Sequence, residues 1–309
     1  MTTADAIGAA PARSRARFAL AQGSALPVLA VIVALIALWY GGAVWLNAAS
    51  VVDRYERAGR ESWSTDELVA DTMNLERPVL PAPHQVLSEL RRTIIDVPVT
   101  SRRSLVYHGW VTVSSALLGF VFGTLLGIAL AVGIVHIRTL ERSLMPWIIA
   151  SQTIPILAIA PMIIVVLGSL GFVGLVPKAI ISAYLCFFPV TIGMVKGLSS
   201  PEPIHLDLVH TYNATTQQIF WKLRWPSSLA FLFASLKVAV ALAMVGAIVG
   251  ELPTGAQAGL GARLLSGSYY GQTVQIWAAL IVAAVLAALC VAAVGLAERV
   301  TLYRMGGRP

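Results

Sequence analysis

Ser104 to Ile137 holds no Asp, Glu, Lys or Arg, and neither does Phe18 to Val52. Runs of this length constrain a fold more than any motif does. About 20 apolar helical residues cross the hydrocarbon of a bilayer, where each backbone polar group must be satisfied within the protein. A soluble surface is not an alternative, because only 12% of the 309 residues are charged and 57% are hydrophobic. Six stretches read as spans, centred on residues 26–45, 110–134, 145–168, 179–196, 228–250 and 274–297. The chain therefore reads as an all-α integral membrane protein with six transmembrane helices.

The ends and loops orient it. Residues 1–23 form a polar tail with Arg13, Arg15 and Arg17, followed by a first helix over 24–48. A cleaved signal peptide is the rival reading, since Asn47-Ala-Ala-Ser resembles a small-residue cleavage site. The apolar stretch is longer than the usual h-region of about 7–15 residues, which favours an uncleaved helix. With both termini cytoplasmic, 11 Lys and Arg fall on inner segments: three in the tail, Arg138 and Arg142, Lys196, Lys222 and Arg224, and three over 299–309. Arg263 alone lies in the short outer loops, with Lys178 at a boundary, so the bias follows the positive-inside rule. The same placement explains the net charge of +7 without nucleic acid, because the arginines flank apolar runs.

Residues 49–108 read as a periplasmic segment. Its part from Asp53 to Arg103 carries 8 arginines and 9 acidic residues, a net of −1. An amphipathic helix is expected over 83–95 after Pro83, with Val86, Leu87 and Leu90 on one face. Asp53–Arg77 reads as an insertion without an evident function.

Residues 109–298 form the remaining five-helix core. Gly119-x3-Gly123-x3-Gly127 aligns three glycines on one helix face, a pattern for close backbone approach. Pro155 and Pro161 interrupt the third span, and broken helices at membrane depth serve transporters as solute sites. A kinked packing helix would carry the same residues. Phe187-Phe188-Pro189 could line a cavity or simply pack. Lys237 is expected to snorkel toward the cytoplasmic boundary. Glu251 could pair with Arg263 or guard an outer mouth. Gly259-Leu-Gly261 follows no strand and is no dinucleotide fingerprint, and Tyr269-Tyr270 reads as an aromatic anchor. Cys186 and Cys290 lie inside apolar spans, which argues against a disulfide framework or a thiolate metal site.

Between the fourth and fifth spans, residues 199–226 form a polar connection, and Asp207 to Pro226 reads as an amphipathic helix ending at the proline. This stretch resembles the cytoplasmic loop of ATP-binding-cassette importer permeases, E-A-A-x3-G-x9-I-x-L-P. Asp207-Leu208-Val209 takes the E-A-A place, Asn213 the glycine, Leu223 the isoleucine and Trp225-Pro226 the Leu-Pro. The continuation, Phe233-Ala-Ser-Leu-Lys-Val-Ala and Val245-Gly-Ala-Ile-Val-Gly-Glu251, is similar to the nitrate/sulfonate/taurine branch, which includes pyrimidine and riboflavin transporters. The resemblance covers roughly Leu80 to the C-terminus. It implies a type I importer permease fold in a bacterial inner membrane, a second permease copy, separate ATP-binding subunits and a soluble or lipid-anchored substrate-binding protein. It further implies no cofactor on this chain, with ATP and Mg on the partner ATPase. Asp207, Tyr212, Asn213, Ala214, Thr215, Gln218 and Pro226 then form the coupling element. Gln152, Thr153, Pro155, Phe187, Phe188, Met244 and Glu251 are set against the solute pathway.

The chain carries no G-x-x-x-x-G-K-[ST], G-x-S-x-G or H-E-x-x-H motif, so ATP and hydrolytic chemistry by those routes are absent. The alternative to a permease subunit is a self-sufficient secondary transporter. Acidic residues avoid the span centres, which counts against ion coupling.

Overall fold

The computed structural model describes residues 25–60, 62–253 and 257–305. The tail over 1–23, with Arg13, Arg15 and Arg17, and Arg308 at the other end lie outside the described residues. The chain divides into two compact units, one up to Leu87 and one from Ser88 onward. Every element among the described residues is helical.

In the first unit, α1 (Ala25–Arg57) runs past the expected end at 48. No glycine or proline lies between Gly42 and Arg57, Gly59 with φ 70° follows the end, and Arg54 and Arg57 fall in the last turn, where cations oppose the helix dipole. Asn47, beside the suspected cleavage site, is an interior helical residue with no exposure. Its carboxamide accepts from the Val79 and Leu80 amides at 2.7 and 3.3 Å and donates to the Leu80 carbonyl at 2.9 Å. The segment read as an insertion contains α2 (Thr65–Met73), started by a Ser64/Glu67 capping box. The Tyr55 hydroxyl donates to Asp71 at 2.6 Å, and so ties α2 back to α1. From Pro83, α3 (Pro83–Arg91) leads into a π turn over Arg92–Asp96.

The second unit holds the core. Its elements are α4 (Leu105–His136), α5 (Arg138–Ser151), α6 (Ile156–Ser169), α7 (Leu175–Leu198), α8 (Pro203–Thr211), α9 (Thr216–Ile219), α10 (Trp225–Glu251), α11 (Leu260–Tyr269) and α12 (Thr273–Arg304). Four of these, with α1, are long and apolar enough to cross a membrane, counting α9 and α10 as one span. The pair α5–α6 makes a sixth if taken together, although the two helices meet at 99°. The third span expected over 145–168 is therefore a broken one. Its break falls at Gln152–Pro155, whereas Pro161 sits inside α6. Arg138 and Arg142 start α5 on a polar face, and the amphipathic α5 ends where Pro155 cannot extend it.

The helices α4, α7 and α10 pack closest, and glycine makes that possible. A Cβ built on Gly119 would lie 2.4 Å from the Ala179 carbonyl oxygen and 2.4 Å from Ser182 Cβ. Gly123 and Gly127 meet Cys186 and Val190 Cβ at 2.6 and 2.9 Å in the same way. On the other flank of α7, a Cβ on Gly246 of α10 would lie 2.8 Å from Ser182 Cα, and one on Gly250 3.2 Å from Lys178 Cα. Ser182 thus stands where three backbones meet, each contact requiring a missing side chain opposite. Lipid tails are as apolar as these helices, so association rests on van der Waals packing at such approaches. Around them, Ala116, Val190, Met194, Ala239, Ala243 and Met244 are buried.

Gly119→Ala forces a methyl against backbone and should cost about 1–3 kcal/mol, as overpacked cores do. Gly168→Ala, where a Cβ meets nothing within 4 Å, should leave stability near wild type. Thermal unfolding of the purified variants in one detergent checks this; equal midpoints would remove the close-approach account.

Candidate functional site

Two polar features stand out in the second unit, one at each end of α10. The first is the connection after α7. Helix α8 begins at Pro203 rather than Asp207, a start the sequence signalled by proline at a first helical position. It stops at Thr211, so the single helix expected from Asp207 onward is instead two. Asn213 adopts φ 53°, the one positive φ outside glycine among the described residues. The Asn213 amide donates to the His210 carbonyl at 2.9 Å and the Ala214 amide to the Val209 carbonyl at 3.2 Å. That pair is a Schellman motif, which needs a left-handed residue at the position Asn213 holds. Asn is among the few non-glycine residues that tolerate it. Immediately afterward Thr215 and Gln218 form a capping box that restarts the helix.

From Thr216 the helix continues without a break to Glu251. The proline expected to end it does not. Pro226 lies in the first turn of α10, after a π segment over Phe220–Arg224 in which the Trp225 amide donates five residues back to Phe220. Arg224 donates to the Leu198 carbonyl at 3.3 Å, and Phe220 packs edge-on against His136 with centroids 5.4 Å apart. The turn is thus anchored to the ends of α7 and α4. Its outer face is bare: α8 has no buried residue, and Tyr212 is 80% exposed. Ala214 is half-buried and lines a shallow depression with Val209, Gln218 and Lys222. Asp207 is exposed.

The second feature, at the other end of α10, is a buried polar knot. Glu251 has no exposure. It accepts from the Thr112 hydroxyl of α4 at 2.9 Å, from the Gly261 amide at 2.9 Å and from Lys178 Nζ of α7 at 3.4 Å. The partner is Lys178, not Arg263. Arg263, on α11, faces Gln275, whose amide oxygen, turned toward it, accepts at 3.0 Å. Burial pulls the Arg263 guanidinium down from its usual pKa, against the attraction of Glu89. Lys178 also donates to the Ala258 carbonyl at 3.0 Å. His108 Nδ1 accepts from the Gly259 amide, and Thr112 Oγ1 accepts from the Leu260 amide, both at 2.9 Å. The Gly259-Leu-Gly261 sequence is therefore a backbone clasp. A Cβ on Gly259 would lie 2.0 Å from Glu251 Cδ, and its φ of 125° excludes most side chains besides. The helix α11 that follows was not expected from a Gly- and Ser-rich stretch.

Between these ends lies the break at Gln152–Pro155. Gln152, Thr153 and Pro155 are exposed. The Ser151 carbonyl, orphaned where α5 stops, accepts from the Tyr184 hydroxyl of α7. Sequence reasoning passed over Tyr184, although a tyrosine inside a span needs a partner for its hydroxyl. Phe187 and Phe188 are half-buried, Phe187 lying 5.9 Å from the Tyr184 ring. Met244 is packed in the core with 1% exposure. Lys237 forms an ion pair with Glu298 of α12 rather than only reaching for the boundary. A groove of about 470 Å³ between α4 and α12 is lined by apolar side chains such as Trp110 and Val285. Among the described residues of its lining, the Trp110 indole is the one side chain with a polar atom.

A multi-pass helical protein with an anchored but outwardly bare helix–turn–helix between spans has the form of a membrane component of a transport system. Residues 123–301 match the family described as binding-protein-dependent transport system inner membrane component, and the chain belongs to that family. It is similar to the formylaminopyrimidine transport permease protein ThiX of Halalkalibacterium halodurans, 34% identical over 59% of this chain and 68% of that one. It is also similar to the riboflavin transport system permease protein RibX of Chloroflexus aurantiacus, 31% identical over 72% of this chain and 78% of that one. The chain is an ABC transporter permease subunit, a class of membrane component that is not itself an enzyme.

Breaking the buried Lys178–Glu251 pair from one side strands a charge. Lys178→Met should destabilise the purified chain by about 3–5 kcal/mol. Adding Glu251→Gln should recover part of that, because the glutamine still accepts from Thr112 and Gly261. Strictly additive losses in thermal unfolding would mean the two residues are not coupled.

Proposed function

We propose that this chain forms the translocation pathway of a bacterial inner-membrane importer for a small planar heterocycle. A soluble or lipid-anchored binding protein delivers the solute, and a second permease copy completes the pathway. ATP and Mg are held by separate ATPase subunits, which dock at α8 and the turn over Tyr212–Thr215. The observation that carries this reading is the turn itself. A helix–turn–helix is capped at both sides of Asn213, fixed to the core through Arg224 and Phe220, and left bare toward solvent with Ile204, Leu208 and Tyr212 exposed. Exposed aromatic anchors such as Tyr212 suit a protein partner. The names of two relatives, a formylaminopyrimidine and a riboflavin permease, support the heterocycle.

Movement of the turn reaches the membrane through the helix it starts. At about 1.5 Å per residue, the 36-residue stretch from Thr216 to Glu251 is a lever of about 54 Å. Its far end bears the knot with α4 and α7, so a push at the turn changes how three helices meet at the other side. The exposed break at Gln152–Pro155 and the half-buried Phe187 and Phe188 are assigned to the solute path. Met244 and Glu251 are assigned to packing and to the knot instead. The excess of Lys and Arg on the segments adjoining the turn supports a cytoplasmic position for it and for both termini.

Ala214→Trp crowds the depression beside Tyr212 and should weaken ATPase co-purification by about 5- to 150-fold, corresponding to roughly 1–3 kcal/mol. Tyr212→Ala should act in the same direction. Normal co-purification and transport in both variants would leave the turn an ordinary solvated connection. Capture of a cytoplasmic ATPase through this turn would also place it on the inner side.

A further inference from the structure

The second unit contains a cavity that the coupling account does not use. It has a volume of about 690 Å³ and lies between the start of α4, the turn joining α6 to α7, and the end of α10. Its walls combine aromatic side chains with one charge. Tyr107, Trp110 and Phe172 line it, Trp110 and Phe172 being 71% and 51% exposed, and Lys178 is the one charged side chain among the described residues of the lining. Ser114 and Gln257 add polar side chains to the lining, and a largely apolar, aromatic pocket of a few hundred Å³ with a few placed polar groups is the usual form of a small-molecule site.

Lys178 is only 8% exposed. An ammonium has three donors. Two are engaged, by Glu251 at 3.4 Å and by the Ala258 carbonyl at 3.0 Å. No acceptor among the described residues takes the third, which can serve an acceptor in the cavity that Lys178 lines. Glu251 already balances its charge, so the site does not demand an anion. A carbonyl or ring nitrogen suffices, and flat rings beside it can face the aromatic walls. Two glycines line this wall, Gly168 in the last turn of α6 and Gly174 just before α7. Gly168 lines the cavity, and a Cβ there would meet nothing within 4 Å.

We infer that this cavity is a reception site for a planar heteroaromatic solute, held by a hydrogen bond from Lys178 and by stacking against Tyr107, Trp110 and Phe172. The inference rests on the permease reading and assigns it a solute site away from the break at Gln152–Pro155. Because Lys178 is shared with Glu251 and Ala258, a solute taking its third donor touches the clasp that joins α4, α7, α10 and the chain leading into α11. Arrival of solute is thereby linked to the far end of the coupling lever.

The test uses the full chain in lipid nanodiscs, with radiolabelled riboflavin and an aminopyrimidine as probes and ethanesulfonate as a non-planar competitor. At least one planar probe should bind, and ethanesulfonate should not displace it. Gly168→Trp fills the cavity from a position with free space and should weaken binding about tenfold or more. Phe172→Ala should weaken it about 2- to 10-fold. Leu296→Trp, an exposed site on α12, should bind as wild type. Absence of binding by both planar probes, displacement by ethanesulfonate, or wild-type binding by both cavity variants overturns the inference. Uptake by the assembled transporter separates the two levels. Wild-type import by Gly168→Trp removes the cavity while the permease reading stands, whereas absence of ATP-driven import of any probe by the unaltered transporter removes both.

Discussion

The structure depends on backbones that approach where no side chain intervenes. Ser182 of α7 sits between Gly119 of α4 and Gly246 of α10, and a methyl group on either glycine would collide with it or with adjacent backbone. Water offers no help inside a bilayer, since burying one apolar surface against another gains little over lipid. The three helices are held by contact distance instead. That choice makes the core stiff, because a packed interface of this kind has few alternative arrangements of similar energy.

Stiffness gives the polar ends their meaning. The turn at Asn213 and the knot at Glu251 are the two termini of one helical stretch. Each is built from groups that would be costly if left alone: uncapped helix ends at the turn, and a carboxylate with an ammonium at the knot. At the turn the groups are satisfied locally and the outer face is left bare. At the knot they are satisfied across α4, α7 and the Gly259–Gly261 backbone, so no single helix can shift without breaking a hydrogen bond. A transporter driven from one side needs both properties, a handle that a partner can grip and a far end that responds.

Much of this was legible in the sequence, and the exceptions share a cause. Charge-free runs gave the spans, since hydropathy is a local property of twenty residues. The Gly119, Gly123 and Gly127 spacing gave a packing face for the same reason. Asn213 takes the glycine place of the resembled loop, and its backbone adopts the left-handed conformation that favours glycine. The pairing of Lys178 with Glu251, 73 residues apart, was not readable, because periodicity does not say which polar residues from different helices meet. Arg263, nearer in sequence, was the wrong partner. At Pro155 the sequence left a broken helix and a kinked one both open, since proline signals a disturbed turn without giving its angle, and the bend is 99°. Helix α11 was hidden by its glycines and serines, whose weak propensity is overridden by the clasp at its start. The capping boxes at Ser64 and Thr215 were visible as Ser-x-x-Glu and Thr-x-x-Gln, and would have marked two helix starts that were passed over.

If an ATPase works on the turn, as proposed, this chain moves solute only in the assembled transporter. The most direct measurement is solute uptake into proteoliposomes, comparing the permease alone, the permease with its ATPase subunits and binding protein, and the same assembly with a non-hydrolysable nucleotide. Uptake should occur only in the complete assembly with hydrolysable ATP. Accumulation by the permease alone, driven by an ion gradient, would contradict the account and make the chain a secondary transporter.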